Sequence, residues 1–84
     1  MYVIVKIYFF AKAREIVGKH EAELEISNVI SYPELLDKIV QEFNLTSIRN
    51  TFILALNKEY IEEDEVITLK PGDELAVIPP LSGG

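Results

Sequence analysis

The residues best suited to chemistry are the last two of the sequence, Gly83 and Gly84, which follow Leu81 and Ser82. Glycine lacks a Cβ atom, so a diglycine end can adopt backbone angles closed to other residues and can thread a crevice too narrow for side chains. The carboxylate of Gly84 is a poor electrophile, but adenylation would give it a good leaving group. A sulfur donor could then displace AMP and leave a C-terminal thiocarboxylate. This is covalent carrier chemistry in which the catalytic groups belong to a partner enzyme.

Two glycines at the end of a chain are only suggestive by themselves. With glycine at its average usage, they arise by chance in on the order of one chain in two hundred. The alternative is a flexible tail with no function, because frayed termini are common. The sequence has no cysteine and a single histidine, His20, so disulfides, thiol nucleophiles and a metal site are not expected. Any sulfur chemistry must therefore use something other than a side-chain thiol.

Length and composition predict one small globular domain. The 84 residues, 49% of them apolar, are expected to form a single unit over 1–84, with a globular body at 1–80 and a reactive tail at 81–84. No apolar run is long enough to cross a bilayer and no secretory signal is visible, so we expect no membrane partner and a cytoplasmic location. The net charge of −6 argues against nucleic acid as a partner. The acidic residues between Glu59 and Glu65 form either a solvated loop or a steering element toward a basic partner.

The first third of the sequence predicts two strands with a short helix between them. Tyr2 to Phe9 predicts a strand, whose alternate residues face opposite sides of a sheet. The residues of one side are all apolar, and those of the other side are apolar except for Lys6. Phe10 to Val17 predicts a short helix that Gly18 ends. Glu21 to Ile26 alternates apolar residues with glutamates, which is typical of an antiparallel strand with one solvated face. We expect the two strands to pair.

The main helix is predicted at Tyr32 to Phe43. Ser31 and Glu34 have the spacing of a capping box, in which each side chain satisfies a backbone N–H group at the start of the helix. An apolar stripe that includes Leu35 and Ile39 indicates the buried side of this helix.

The second half predicts three further strands joined by tight turns. The strands are expected at Phe52 to Leu56, Glu59 to Ile61 and Glu74 to Ile78. Asn57 and Lys58 form the first turn, although lysine suits the second turn position poorly. Lys70 to Asp73 has proline and glycine where a type II turn needs them. Pro79 and Pro80 cannot donate hydrogen bonds to a sheet, so the sheet should stop there.

This order of elements predicts an α+β, ubiquitin-like β-grasp fold. We expect a mixed sheet of four to five strands, one main helix, one short helix and a flexible C-terminal diglycine tail. One helix covers only one face of such a sheet. On the face away from the main helix, the alternation along the strands places Phe10 and Ile78, together with Ile4, Tyr8 and Ile53. Either side loops and the short helix cover this face, or it is an exposed apolar patch that binds a partner.

Three stretches of the sequence resemble the molybdopterin synthase small subunit, a family of ubiquitin-like sulfur carriers. They are Phe9-Phe10-Ala11-Lys12-Ala13-Arg14-Glu15, Pro71-Gly72-Asp73-Glu74 and Pro79-Pro80-Leu81-Ser82-Gly83-Gly84. The last is the most specific. The resemblance covers most of the chain and is weakest over 44–51.

The resemblance implies a carrier that gives sulfur to a cyclic pyranopterin precursor in molybdenum cofactor biosynthesis. The implied partners are a ubiquitin-activating-enzyme-like adenylyltransferase that uses ATP, a sulfur donor protein and the large synthase subunit, in a heterotetramer. The carrier itself would bind no cofactor and would contribute no catalytic side chain. Gly83 and Gly84 match the reacting end of the family, and Phe10, Tyr60 and Ile78 match its apolar docking residues. The segment formed by Pro79, Pro80, Leu81 and Ser82 is also expected to contact the partner.

Several alternatives remain open at this stage. The same diglycine end could be passed to a lysine, which would make the chain a ubiquitin-like protein modifier. Carriers for thiamine synthesis or tRNA thiolation share the predicted fold and tail. A non-catalytic interaction module is a third possibility, because fold alone does not establish function. Arg14 and Glu15 also match the pattern of the family, but a surface ion pair or a helix anchor accounts for them at least as well, so neither receives a role. His20 is interpreted as a loop residue without a function.

Overall fold

The structure is a computed structural model that describes residues 1–80, so the predictions for Leu81, Ser82, Gly83 and Gly84 lie outside the described residues. This part of the chain contains seven strands, two α-helices and one 3-10 turn. The strands are β1 (Tyr2–Phe9), β2 (Glu21–Ser27), β3 (Val29–Ser31), β4 (Ile53–Leu56), β5 (Glu59–Tyr60), β6 (Val66–Thr68) and β7 (Glu74–Ile78). The helices are α1 (Ala11–Val17), α2 (Tyr32–Phe43) and a 3-10 turn at Thr46–Ile48.

Five strands form one mixed sheet in the order β2-β1-β7-β4-β5. The first and last strands pair in parallel at its centre, and the other neighbours pair antiparallel. The predicted fold class, with one main helix and one short helix, is confirmed. β7, the strand that leads to the end of the sequence, therefore lies in the middle of the sheet.

One face of the sheet forms the hydrophobic core together with α2. Along β1 the side chains alternate between buried and exposed, and Val5 and Ile7 are fully buried. On α2, Leu35 and Ile39 belong to the same buried cluster. The Phe9 ring meets the ring of Phe43 edge to face, with centroids 4.9 Å apart, an arrangement that aromatic pairs favour. The apolar parity of β1 and the stripe on α2 thus pack against each other as predicted.

The start of α2 is fixed by the predicted capping box. The Ser31 hydroxyl accepts a hydrogen bond from the Glu34 backbone N–H group, and the Glu34 carboxylate accepts one from the Ser31 backbone N–H group. Asn44 ends the helix in the left-handed conformation. The observed bounds, Tyr32–Phe43, are those predicted.

The sequence analysis missed a second, two-stranded sheet that connects β2 to α2. In this sheet β3 pairs antiparallel with β6, and Ile30 lies opposite Ile67. Both strands are only three residues long, so neither has the alternating run by which a strand is recognised in a sequence. The 3-10 turn is also only three residues long, too short to show a helical repeat of apolar residues, and it was missed as well. Nothing in residues 1–80 forms a helix long and apolar enough to cross a membrane.

Four predicted element bounds need correction. β2 extends to Ser27, one residue beyond the predicted Ile26. Phe10 does not belong to α1, because its backbone is extended and it occupies the N-cap position. Phe52 precedes β4, and Ile61 lies beyond β5, although the Ile61 N–H group still donates to the Leu54 carbonyl at 3.0 Å. Short elements fray at their ends, so these bounds were the least predictable.

Candidate functional site

The candidate site is the face of the five-stranded sheet opposite the core, which we call the outer face. Residues directly opposite each other on paired strands share a face, so the register shows which side chains belong to it. One row crosses all five strands. From β2 to β5 it reads Glu21, Tyr8, Ala76, Ala55 and Tyr60. The next row, toward the end of β7, pairs Ile78 with Ile53.

An apolar cluster occupies the part of the outer face near the end of β7. We call it the outer-face patch, and it consists of Phe10, Ile53, Tyr60, Ala76 and Ile78. Phe10 is 48% exposed, Ile53 47% and Tyr60 70%. The loops and α1 therefore leave these three side chains uncovered, whereas Ala76 and Ile78 are half-buried. That this surface binds a partner stays a prediction. Apolar patches of this kind mark interaction sites.

The outer-face patch is concave and carries polar groups at one side. It lines a depression of about 330 Å³ together with Tyr8, Lys58 and Glu74. The Tyr8 hydroxyl donates to the Glu74 carboxylate at 3.2 Å. Partial burial and this hydrogen bond to a carboxylate raise the pKa of Tyr8, so its hydroxyl remains a donor at neutral pH. A partner side chain that enters the depression would meet mostly carbon, with one cation and one carboxylate beside it.

Two residues next to the outer-face patch have backbone angles that their side chains disfavour. Ala11, directly after Phe10, has φ +49°, and Lys58 has φ +74°. Outside glycine, asparagine and aspartate, this region costs of order 1–2 kcal/mol per residue. Asn57 and Asn44 also have positive φ, but asparagine tolerates it. Such outliers cluster at functional sites, and here both flank the same apolar surface.

The beginning of β7 is held by a hydrogen-bond network that the sequence analysis did not find. The Asp73 carboxylate, only 7% exposed, accepts from the Lys70 backbone N–H group at 2.8 Å and from the Asn57 amide at 3.2 Å. The Asn57 side-chain oxygen accepts from the Glu74 N–H group at 3.0 Å. The bond from the Lys70 N–H group is the main cause that lowers the pKa of Asp73, and the Asn57 amide and the Lys70 ammonium add to it. Hydrogen bonds therefore join the predicted turn at Asn57 and Lys58 to the predicted turn at Lys70 to Asp73.

The end of β7 leads to the predicted reactive tail. Pro79 is buried and Pro80 is exposed, and the sheet stops at Ile78 as predicted. The roles assigned to Gly83, Gly84, Leu81 and Ser82 concern residues outside the described part of the chain. The partner contacts assigned to Pro79 and Pro80 also remain predictions.

Other residues named in the sequence analysis lie away from the outer-face patch. Arg14, Glu15 and His20 line a separate surface depression beside α1, and nothing there gives them a role. The residues Glu62 to Glu65 are exposed, which is required both of a solvated loop and of an element that steers a basic partner, so both alternatives stay open. No group of three or more potential metal ligands lies together in residues 1–80.

The fold and the uncovered outer face define a ubiquitin-like β-grasp protein. The small archaeal modifier protein 1 from Methanosarcina acetivorans has a similar structure, with a TM-score of 0.75 over 100% of this chain and 99% of that chain. Its sequence identity is 22%, so this likeness concerns the fold alone.

The chain belongs to the ThiS family, whose profile matches residues 7–84. It is 49% identical to the molybdopterin synthase sulfur carrier subunit of Drosophila melanogaster, over 98% of this chain and 92% of that protein. A complex of subunits 1 and 2 of the molybdopterin-converting factor from Helicobacter pylori contains a similar chain. It has a TM-score of 0.67 and 26% identity over 98% of this chain and 100% of that chain. The family resemblance found in the sequence is therefore confirmed.

Proposed function

We propose that this chain is the sulfur carrier subunit of a molybdopterin synthase. The observation that carries the proposal is the 49% identity to such a subunit over 98% of the chain. The structure supports it, because an exposed apolar patch lies where the central strand β7 ends and the segment that leads to Gly84 begins. A carrier needs both features, a surface that a partner can hold and a backbone end that reaches the partner's active site.

The chemistry of the carrier takes place at the carboxyl group of Gly84. An activating enzyme joins this carboxylate to the α-phosphate of ATP and releases pyrophosphate. A sulfur donor then delivers a hydrosulfide equivalent, which forms the C–S bond while AMP leaves. In the synthase the thiocarboxylate sulfur bonds to a carbon of the pyranopterin precursor and displaces an oxygen substituent from it. Water then cleaves the acyl C–S bond, which leaves the sulfur on the precursor and restores the Gly84 carboxylate. Two such transfers complete the dithiolene.

The outer-face patch is assigned to docking. Phe10, Tyr60 and Ile78 present apolar area beside the end of β7, and aromatic residues of this kind often dominate binding energy at interfaces. The partner proposed here is the large synthase subunit, with two carriers at opposite ends of a large-subunit dimer. This assignment agrees with the complex of subunits 1 and 2 of the Helicobacter pylori relative. The proposal places these reactions in the cytoplasm, where ATP is available for adenylation.

The decisive experiment is mass spectrometry of the carboxyl end. The purified chain is incubated with an activating enzyme, ATP and a sulfur source, and we expect one oxygen to be replaced by sulfur at Gly84. The matched control carries one additional alanine after Gly84, which moves the carboxyl group out of position without altering the folded body. This control should acquire no sulfur and should not support molybdopterin formation.

Two results would count against the proposal. Full activity of the lengthened variant would show that the position of the carboxyl group is unimportant. Ladders of heavier adducts in cells that vanish when Gly84 is deleted, with no thiocarboxylate, would instead identify a protein modifier. Rescue of a strain that lacks the molybdopterin synthase small subunit distinguishes this function from thiamine synthesis or tRNA thiolation.

A further inference from the structure

The outer face has an acidic border that the outer-face patch does not explain. β2 is an edge strand of the five-stranded sheet. Its exposed alternate residues are Glu21, Glu23 and Glu25, which we call the glutamate edge. The register places Glu25 opposite Ile4 and Glu23 opposite Lys6 on β1. These carboxylates therefore lie on the same face as the outer-face patch.

The glutamate edge is only partly neutralised within residues 1–80. Lys6 forms its ion pair with Glu21, at 3.6 Å, and its ammonium and the carboxylate are each about half exposed. Glu23 and Glu25 have no basic group within 4 Å in this part of the chain. On the other side of Lys6, β7 contributes Glu74. The outer face is thus apolar toward the end of β7 and negatively charged along β2.

The two parts are close enough to belong to one interface. Neighbouring strands are spaced about 4.8 Å apart, so Glu21, which shares a row with Ala76, lies about 10 Å from it across β1. Glu23 and Glu25 lie two and four residues further along β2, about 7 and 13 Å away from that row. These separations exceed the Debye length of about 8 Å at physiological ionic strength, but they fit within the roughly 30 Å width of an interface that buries about 800 Å² on each partner. A protein that covers the outer-face patch therefore extends over the glutamate edge and can contact it directly.

We propose that the partner docked on the outer-face patch presents lysine or arginine side chains along the glutamate edge, and that this contact steers and orients docking. The inference rests on the proposed function and takes the large synthase subunit as the occupant. A second copy of this chain is a poor occupant, because each copy carries a net charge of −6 and the same row of glutamates. Border charges mainly change the association rate and its dependence on salt.

The test compares two variants of equal charge. The first is Glu21→Gln, Glu23→Gln, Glu25→Gln. The matched control removes three carboxylates from the helix side of the sheet, through Asp37→Asn, Glu42→Gln and Glu63→Gln. Asp37 and Glu42 lie on α2, and the Asp37 side chain is 49% exposed although it pairs with Arg49. Glu63 is near enough for its charge to add to the effect of burial, which raises the pKa of Tyr32.

Association rates with the cognate large subunit would be measured by stopped flow over a series of NaCl concentrations. At low salt, neutralising the glutamate edge should lower kon about ten-fold and flatten its salt dependence, whereas the control should change kon by less than about two-fold. Thermal unfolding would verify that both variants remain folded.

The possible outcomes separate this inference from the proposed function. If both variants lower kon equally, total charge alone matters and the docking role of the glutamate edge is refuted. If the edge variant binds as fast as the wild-type chain, it is refuted as well. If the wild-type chain does not bind the large subunit at all, the proposed function fails and the inference fails with it.

Discussion

The network at the start of β7 predicts that Asp73→Ala is strongly destabilising. The substitution removes two hydrogen bonds to a nearly buried carboxylate, from the Lys70 N–H group at 2.8 Å and from the Asn57 amide at 3.2 Å. A hydrogen bond to a charged group contributes about 1.5–3 kcal/mol. The loss of both should therefore lower the free energy of unfolding by about 3–6 kcal/mol, a large part of the stability of a small domain.

The same carboxylate predicts how this loss depends on pH. The folded state lowers the pKa of Asp73 below its ordinary value of 3.8, so Asp73 stabilises the fold fully above the unfolded pKa. This contribution disappears as the pH falls through the lower folded pKa. The difference between wild type and Asp73→Ala should thus be constant from neutral pH down to about pH 5 and should shrink steadily below about pH 4.

Urea denaturation followed by circular dichroism measures both effects. Asp64→Ala is the matched control, because Asp64 is an exposed aspartate in the acidic loop, and its substitution should change stability by no more than about 0.5 kcal/mol. The reasoning is wrong if the two variants are equally stable. It is also wrong if the cost of Asp73→Ala persists undiminished in acid.

Two further predictions concern the outer-face patch and the Asn57-Lys58 turn beside it. Ile78→Asp should weaken binding to the large subunit at least ten-fold in calorimetric titration while the domain stays folded. Val29→Asp, which changes a 53% exposed side chain on the small β3–β6 sheet, should bind normally, and equal losses in both would remove the patch from the interface. Lys58→Gly should raise the free energy of unfolding by about 0.5–1 kcal/mol in urea, because Asn-Gly fits a hairpin turn with two positive φ values. Unchanged or lower stability would show that Lys58 is not strained.

Most of the fold could be predicted because local patterns and tertiary packing agree. The alternating strand β1, the Ser31 capping box and the Pro71-Gly72 turn each carry their signal within a few adjacent residues. The structure confirms all three, including φ +84° at Gly72. What the sequence did not reveal depends on residues far apart in the chain. Asn57 and Asp73 are 16 residues apart, and nothing local indicates that one binds the other.

The candidate site was predictable only where local sequence patterns determine it. The alternation of residues along the strands placed Phe10, Ile53 and Ile78 on the side opposite the helix. Whether anything covers that side depends on how α1 and the loops pack, which a periodic pattern does not contain. The strain at Ala11 is likewise a property of the folded backbone. Gly83 and Gly84 were identified from residue type alone, and their chemistry remains a prediction.

The central position of β7 determines how the domain would respond to a pull on its carboxyl side. β7 pairs along its length with β1 on one side and β4 on the other. Tension applied along the axis of β7 shears the hydrogen bonds with both neighbouring strands at once. It does not open them one by one, as a force perpendicular to a strand would. We therefore expect the domain to stay folded when a partner enzyme pulls on its carboxyl-terminal segment, because β1 and β4 share the applied force with β7.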